Sequence, residues 1–251
     1  MSARKSKKTG PRPSGHRVQV QEVESRSQEA SNMLVISYMT LRKAVGVLGM
    51  ALPFVLILGG LIFYKTGVQG SLSAYYHTGM RDVFVGFLWV IGIFLYSYKG
   101  YEGAKEKGIT GIINDNVAGN LACVFAIGVA IFPTWINEER TLPNPATGYA
   151  HLVFAALFFL TLSYFCLFLF TKTHKNSIVQ KGSNKMKRNT IYRVCGILML
   201  VCIALMGVYN IYPASSTAFL DPIRPTFTLE TVAILAFGFS WLIKGETLLK
   251  D

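Results

Sequence analysis

Six residues of this chain have the types and spacing to do chemistry together: Ser73, His77, Arg81, Asp82, His151 and Glu230. Two imidazoles and two carboxylates (His77, Asp82, His151 and Glu230) make a donor set that could ligate zinc or another divalent metal. A metal-bound water could then attack an ester or amide, with Ser73 positioning that water or stabilising an oxyanion. If residues 70–82 are helical, Ser73 and His77 stand at i and i+4 and share a face, and His77 and Asp82 can meet across a turn. The same six groups could equally bind or pass a small molecule, lipid or ion without bond-making. A third reading is architectural: Arg81 pairs with Asp82 or Glu230, and the histidines cap helix ends. The residues therefore define a candidate site and leave its catalytic members unassigned.

The elements that must carry these groups are apolar. Hydrophobic residues make up 51% of the 251-residue chain and charged residues 15%, against about 25% charge in an ordinary soluble domain. Six apolar runs stand out, at about 44–64, 83–98, 117–131, 149–170, 194–212 and 227–243. About 20 residues of helix cross a hydrocarbon core. Only helices and closed barrels satisfy their backbone in lipid, and these runs lack the two-residue alternation of barrel strands. The pattern predicts an all-α integral membrane bundle of six transmembrane helices. Asp82, His151 and Glu230 then lie near the starts of the second, fourth and sixth spans, at the same surface as the first outer loop. That polar layer is the expected working region, since ionisable groups in spans are costly.

Charge sets the expected orientation. Of the 25 Lys and Arg residues, 21 fall in the segment up to and including Lys43, the second and fourth connections and the C-terminal tail. Cytoplasmic segments carry the Lys and Arg excess, so both termini are expected to be cytoplasmic. The formal net charge of +12 then reads as a topology signal, with no nucleic-acid partner; the partners it implies are the bilayer and anionic lipid at the cytoplasmic face. Residues 1–32 mix Lys, Arg, Ser, Gln, Glu and Pro and are expected to be a disordered basic tail, ahead of a six-helix domain at 33–251. No cleavable signal peptide is expected, because a long hydrophilic stretch precedes the first apolar run.

Other features speak to packing. Ala118, Ala122, Ala126 and Ala130 recur every four residues in the third span, a stripe that allows close helix approach. The fourth span is rich in phenylalanine, suited to facing lipid or filling gaps. Pro53 should bend the first span. Asp115 or Asn116 is a candidate helix cap, and Asn120 could hydrogen-bond between helices. The four cysteines all fall in spans and read as small buried hydrophobes. There is no GxxxxGK[ST], GxSxG or HExxH sequence.

Ser73-Ala-Tyr-Tyr-His77, Arg81-Asp82-Val-Phe-Val-Gly86, Asp115-Asn-Val-Ala-Gly119 and Phe132-Pro133 together resemble a group of uncharacterised, mostly bacterial multi-helix membrane proteins of the DUF998-like type. That resemblance covers most of residues 40–245. It implies a bacterial cytoplasmic membrane and brings no activity with it. The Ser73-x-x-x-His77 element with Asp82 also resembles part of the CREST-type membrane hydrolases, the alkaline ceramidases and progestin/adiponectin-receptor relatives. These carry a Ser-x-x-x-His element, an Asp and a late His-x-x-x-His, and that likeness implies zinc and lipid hydrolysis. Here the late pair is missing: His151 is followed at the fourth position by Ala155, and no histidine occurs after His174.

Overall fold

A computed structural model of the chain describes residues 14–98, 112–135, 145–172, 184–211 and 218–245. Several charges that underlie the expected orientation lie outside the described residues, among them Lys99, Lys105, Arg140, Lys175 and Lys250. Two compact units are present, residues 1–39 and 40–251. Every regular element among the described residues is helical.

The helices are α1 (Ser14–Tyr64), α2 (Arg81–Ser97), α3 (Asp115–Ile131), α4 (Pro145–Tyr164), α5 (Asn184–Ile211) and α6 (Pro225–Lys244). A short 3₁₀ helix, Ser73–His77, lies between α1 and α2, and another, Ala218–Ile223, precedes α6. A π-helical turn, Phe165–Leu169, extends α4. Among the described residues, each of the six apolar runs overlaps one of these long helices. Four stretches are long and apolar enough to cross a membrane: Tyr38–Tyr64, Ala146–Leu169, Asn184–Ile211 and Phe219–Lys244. The chain is accordingly a multi-pass membrane protein. Helices α2 and α3 are shorter, at 17 residues each. Helix α1 begins at Ser14, so helical backbone occupies the later part of the stretch whose composition predicts disorder.

Local chemistry explains the boundaries. The Asn114 side chain accepts from the Val117 amide at 3.0 Å and caps α3, the role expected of Asp115 or Asn116. Pro225 opens α6, where its missing N–H costs nothing. Arg224 just before it takes a left-handed backbone, φ 46°. Pro53 lies inside α1.

Helix α3 sits between α2 and α4, and the alanine stripe is its buried face: Ala118, Ala122 and Ala126 are fully covered and Ala130 nearly so. A Cβ at Gly119 would run into the carbonyl of Leu95 on α2. Helices α1 and α6 meet as closely, since a Cβ at Gly46 would stand 2.8 Å from the Gly238 carbonyl oxygen. Small residues at these crossings let dispersion contacts replace the hydrophobic driving force that lipid does not supply. The phenylalanines of the α4 region fill gaps: Phe158, Phe165 and Phe170 are buried, while Phe168 is exposed. Trp241 is the centre of an edge-to-face cluster, its ring centroid 4.9 Å from Tyr98, 5.2 Å from Phe170 and 5.6 Å from Phe165. The four cysteines carry free thiols, and Cys166 donates to Ser240 Oγ at 3.2 Å.

Gly119→Leu should lower stability by about 1–3 kcal/mol through overpacking at the α2–α3 crossing. Gly86→Ala, where an added Cβ meets nothing within 4 Å, should raise it by about 0.5–1 kcal/mol. Unfolding of the two variants in detergent, monitored by intrinsic fluorescence, checks both signs.

Candidate functional site

Polar groups gather at one end of the helices, on the segment after α1, the start of α2, the end of α3 and the starts of α4 and α6. Its geometry is set by bonds from side chains to backbone. Glu230, on the second turn of α6, accepts from the Leu72 amide at 2.5 Å (Oε2) and from Ser73 Oγ at 3.3 Å (Oε1). Ser71 Oγ accepts from the Ala74 amide at 2.9 Å. Together they satisfy donors at the start of the 3₁₀ helix, which a helix leaves without internal partners. The Phe227 amide reaches the Gly70 carbonyl at 3.0 Å, a second tie between the segment and α6. At the other end of the 3₁₀ helix, Thr78 Oγ1 donates to the Tyr75 carbonyl and accepts from the Met80 amide. Residues 70–80 thus form a folded plug, and Tyr75 within it is completely buried. Burial pushes the Tyr75 phenol above its ordinary value, so the phenol stays neutral.

Both histidines bond to the short segment that follows α3. His77 Nε2 lies 2.6 Å from the Thr134 carbonyl oxygen, and His151 Nδ1 lies 2.7 Å from that of Phe132. A carbonyl only accepts, so each of those ring nitrogens carries a proton and donates. His151 is 2% exposed and closes the C-terminus of α3, where carbonyls lack helical partners. The Phe132 ring stacks on Phe154 of α4, centroids 5.4 Å apart.

The remaining candidates face elsewhere. Arg81 donates to Tyr76 Oη at 2.9 Å, with its guanidinium 4.6 Å from the same ring, so it partners Tyr76 where pairing with Asp82 or Glu230 is the sequence expectation. Asp82 is exposed in the first turn of α2, where a negative charge suits the helix dipole. Among the described residues no three His, Cys, Asp or Glu side chains come together as a metal site. The set His77, Asp82, His151 and Glu230 is therefore not assembled: two members turn to carbonyls, one to backbone N–H and one to solvent.

Two of the six residues, Ser73 and Glu230, border a small cavity. It has a volume of about 40 Å³ and lies among Leu52, Ser73, Leu88, Val129, Phe158 and Glu230, so α1, α2, α3, α4 and α6 all reach it. Glu230 is the one ionisable group in its lining.

A second polar centre lies at the opposite end, around Asp115; the sequence offers Asp115 as a helix cap and does not show its partners. Asp115 is 7% exposed. It pairs with Lys172 Nζ at 3.5 Å and accepts from Tyr98 Oη at 3.3 Å. Nearby, the Lys244 ammonium lies 5.2 Å from the Phe170 ring centroid and 5.9 Å from that of Tyr192. Arg42 donates to the Lys244 carbonyl at 3.4 Å and stands 5.5 Å from the Tyr98 ring centroid. One signal was available: Asp115 is an acid set between two strongly basic segments. Asn120, the expected interhelical bonder, has its Oδ1 buried without a donor.

Compared with family models, with curated proteins and with solved structures, the chain matches none.

The two aspartates should behave differently. Asp115→Ala leaves Tyr98 Oη and the Lys172 ammonium without their acid and should cost about 1–3 kcal/mol. Asp82→Asn removes one exposed helix-dipole contact, worth about 0.3–1 kcal/mol. Parallel thermal melts of the two purified variants compare them directly.

Proposed function

We propose that the chain is a six-span integral membrane protein, with α2 and α3 as its short spans, that binds or passes a proton or small cation at Glu230. Seventeen residues of helix rise about 25 Å, the lower limit for a span. In this reading both termini are cytoplasmic and the polar layer lies at the outer surface, as the Lys and Arg distribution favours. The resemblance to DUF998-like membrane proteins belongs to the same reading. Cysteine labelling tests the sidedness. Gly67→Cys should react with a membrane-impermeant maleimide added outside intact cells, and Ile112→Cys only after permeabilisation.

The observation that carries the functional part is the cavity with its single carboxylate. An ionisable side chain bordering a cavity among spanning helices is the usual mark of an ion or proton path. A volume of about 40 Å³ admits a water or a bare monovalent cation and excludes a lipid or drug-sized molecule. The polar wall formed by Ser73 and Glu230 supplies the oxygen ligands such a guest needs.

A second reading, an assembly or scaffold protein in which Glu230 is a structural latch, is favoured by the fact that both carboxylate oxygens already have partners. Glu230→Gln separates the two. The amide oxygen still accepts from the Leu72 amide, so the fold persists while the charge is gone. In proteoliposomes with an imposed proton or sodium gradient, wild-type protein should dissipate the gradient at least ~10-fold faster than the variant, a factor worth about 1.4 kcal/mol. Equal rates for two equally folded proteins would leave the latch.

A further inference from the structure

A larger concavity lies on another face of the bundle. A groove of about 550 Å³ runs between α1, α5 and α6. Its walls are apolar, with Phe54 on α1, Val194 on α5 and Phe239 on α6, and its floor is made of the small, nearly covered Cys195 and Ala236. Large residues flanking small ones leave an apolar groove open along one side. Val194 is 58% exposed, so the groove opens sideways, toward lipid.

Helical register places cations at one end of it. On α1, Lys43, Val47, Met50 and Phe54 follow at i, i+4, i+7 and i+11 and form one stripe. On α5, Lys187, Ile191, Val194 and Leu198 repeat that spacing. Met50, Phe54, Ile191, Val194 and Leu198 all border the groove. Lys43 and Lys187 therefore stand one to two turns beyond its end on two of its three walls, and both are exposed. The third wall, α6, ends there at Gly245, where an added Cβ would stand 2.9 Å from Lys43 Cγ. The local charge is mostly positive: Lys244 interacts electrostatically with Arg42, Arg188 and Lys185, and with the single acid Asp115. Asp115 is the sole acid at that end among the described residues of 40–251, and it is already engaged by Lys172 and Tyr98.

We propose that this groove seats one acyl chain of an anionic glycerophospholipid, with the lipid phosphate held between Lys43 and Lys187. The apolar channel selects a hydrocarbon chain and the paired lysines select a phosphate without a balancing headgroup cation. Lysine suits a phosphate that needs charge more than fixed geometry. The assignment rests on the membrane-spanning reading and is independent of Glu230 and its cavity.

The test is competitive lipid retention by full-length protein in mild detergent, read by native mass spectrometry. The probes are phosphatidylglycerol and phosphatidylcholine with identical chains. Wild-type protein should keep one phosphatidylglycerol in preference to phosphatidylcholine. The K43Q/K187Q double variant should lose about 30-fold of that preference, the worth of two interfacial lysines. A236F, which fills the floor with the lysines intact, should lose retention of both lipids. Equal retention of the two lipids by wild type, or an unchanged preference in the double variant, would overturn the site. So would equal thermal protection by inorganic phosphate alone. Carbonate-resistant membrane integration is measured alongside: if it holds while lipid preference fails, the site is wrong and the spanning reading stands.

Discussion

The bond from the Leu72 amide to Glu230 is the tie on which the polar end of the bundle depends. Without it the chain between α1 and α2 would present free N–H groups at the edge of an apolar protein, where each costs free energy comparable to a lost hydrogen bond. With it, residues 70–80 fold into a plug against α6. The plug in turn places His77 within reach of the Thr134 carbonyl, and His151 of α4 takes the Phe132 carbonyl two residues earlier. Three side chains thus link α6, the α1–α2 connection, the end of α3 and the start of α4 into one ring of tethers. Each tether is worth about 1 kcal/mol or somewhat more where a charge takes part. Their joint effect is to fix which helices are neighbours at this end.

The opposite end uses a different device. There the charges meet aromatic rings and one acid, with a single tie to backbone from Arg42 to the Lys244 carbonyl. Tyr98 connects the two schemes, donating its hydroxyl to Asp115 while its ring lies against Trp241 and beneath Arg42. Aromatic faces accept cations without requiring a matched carboxylate, which lets a span end on Lys244 while its side chain stays among the helices. A basic face that repels itself is stabilised in this way from within.

Much of the architecture was legible because lipid permits few backbone solutions. The runs at 44–64 through 227–243 all became helices, and the four-residue spacing of Ala118 to Ala130 marked a buried stripe. The polar layer was legible as a location, since Asp82, His151 and Glu230 fall at corresponding ends of alternating helices. Its chemistry was not. His77 and His151 invite a metal on paper because imidazole and carboxylate are complementary side chains. Their actual partners are carbonyls, which every residue carries and which no residue type announces. The same blindness hid Asn114, whose capping of α3 depends on where the helix starts, and the Asp115–Lys172 pair, whose members are 57 positions apart and meet only when α3 and α4 pack.

The two oxygens of Glu230 are not equivalent, and this bears on what the cavity can do. Oε2 is held at 2.5 Å by a backbone amide that has no freedom to turn away. Oε1 faces Ser73 Oγ at 3.3 Å, a longer bond from a hydroxyl that rotates about its own axis. An sp² oxygen carries two lone pairs, so Oε1 keeps acceptor capacity toward the space between Ser73, Leu88 and Phe158. The Ser73 backbone N–H also faces the carboxylate, so Ser73 holds Glu230 through main chain as well as hydroxyl, beside the Leu72 bond that anchors the plug. The arrangement therefore divides one carboxylate between two partners: one oxygen holds the plug through backbone, and the other meets a hydroxyl at the edge of the cavity.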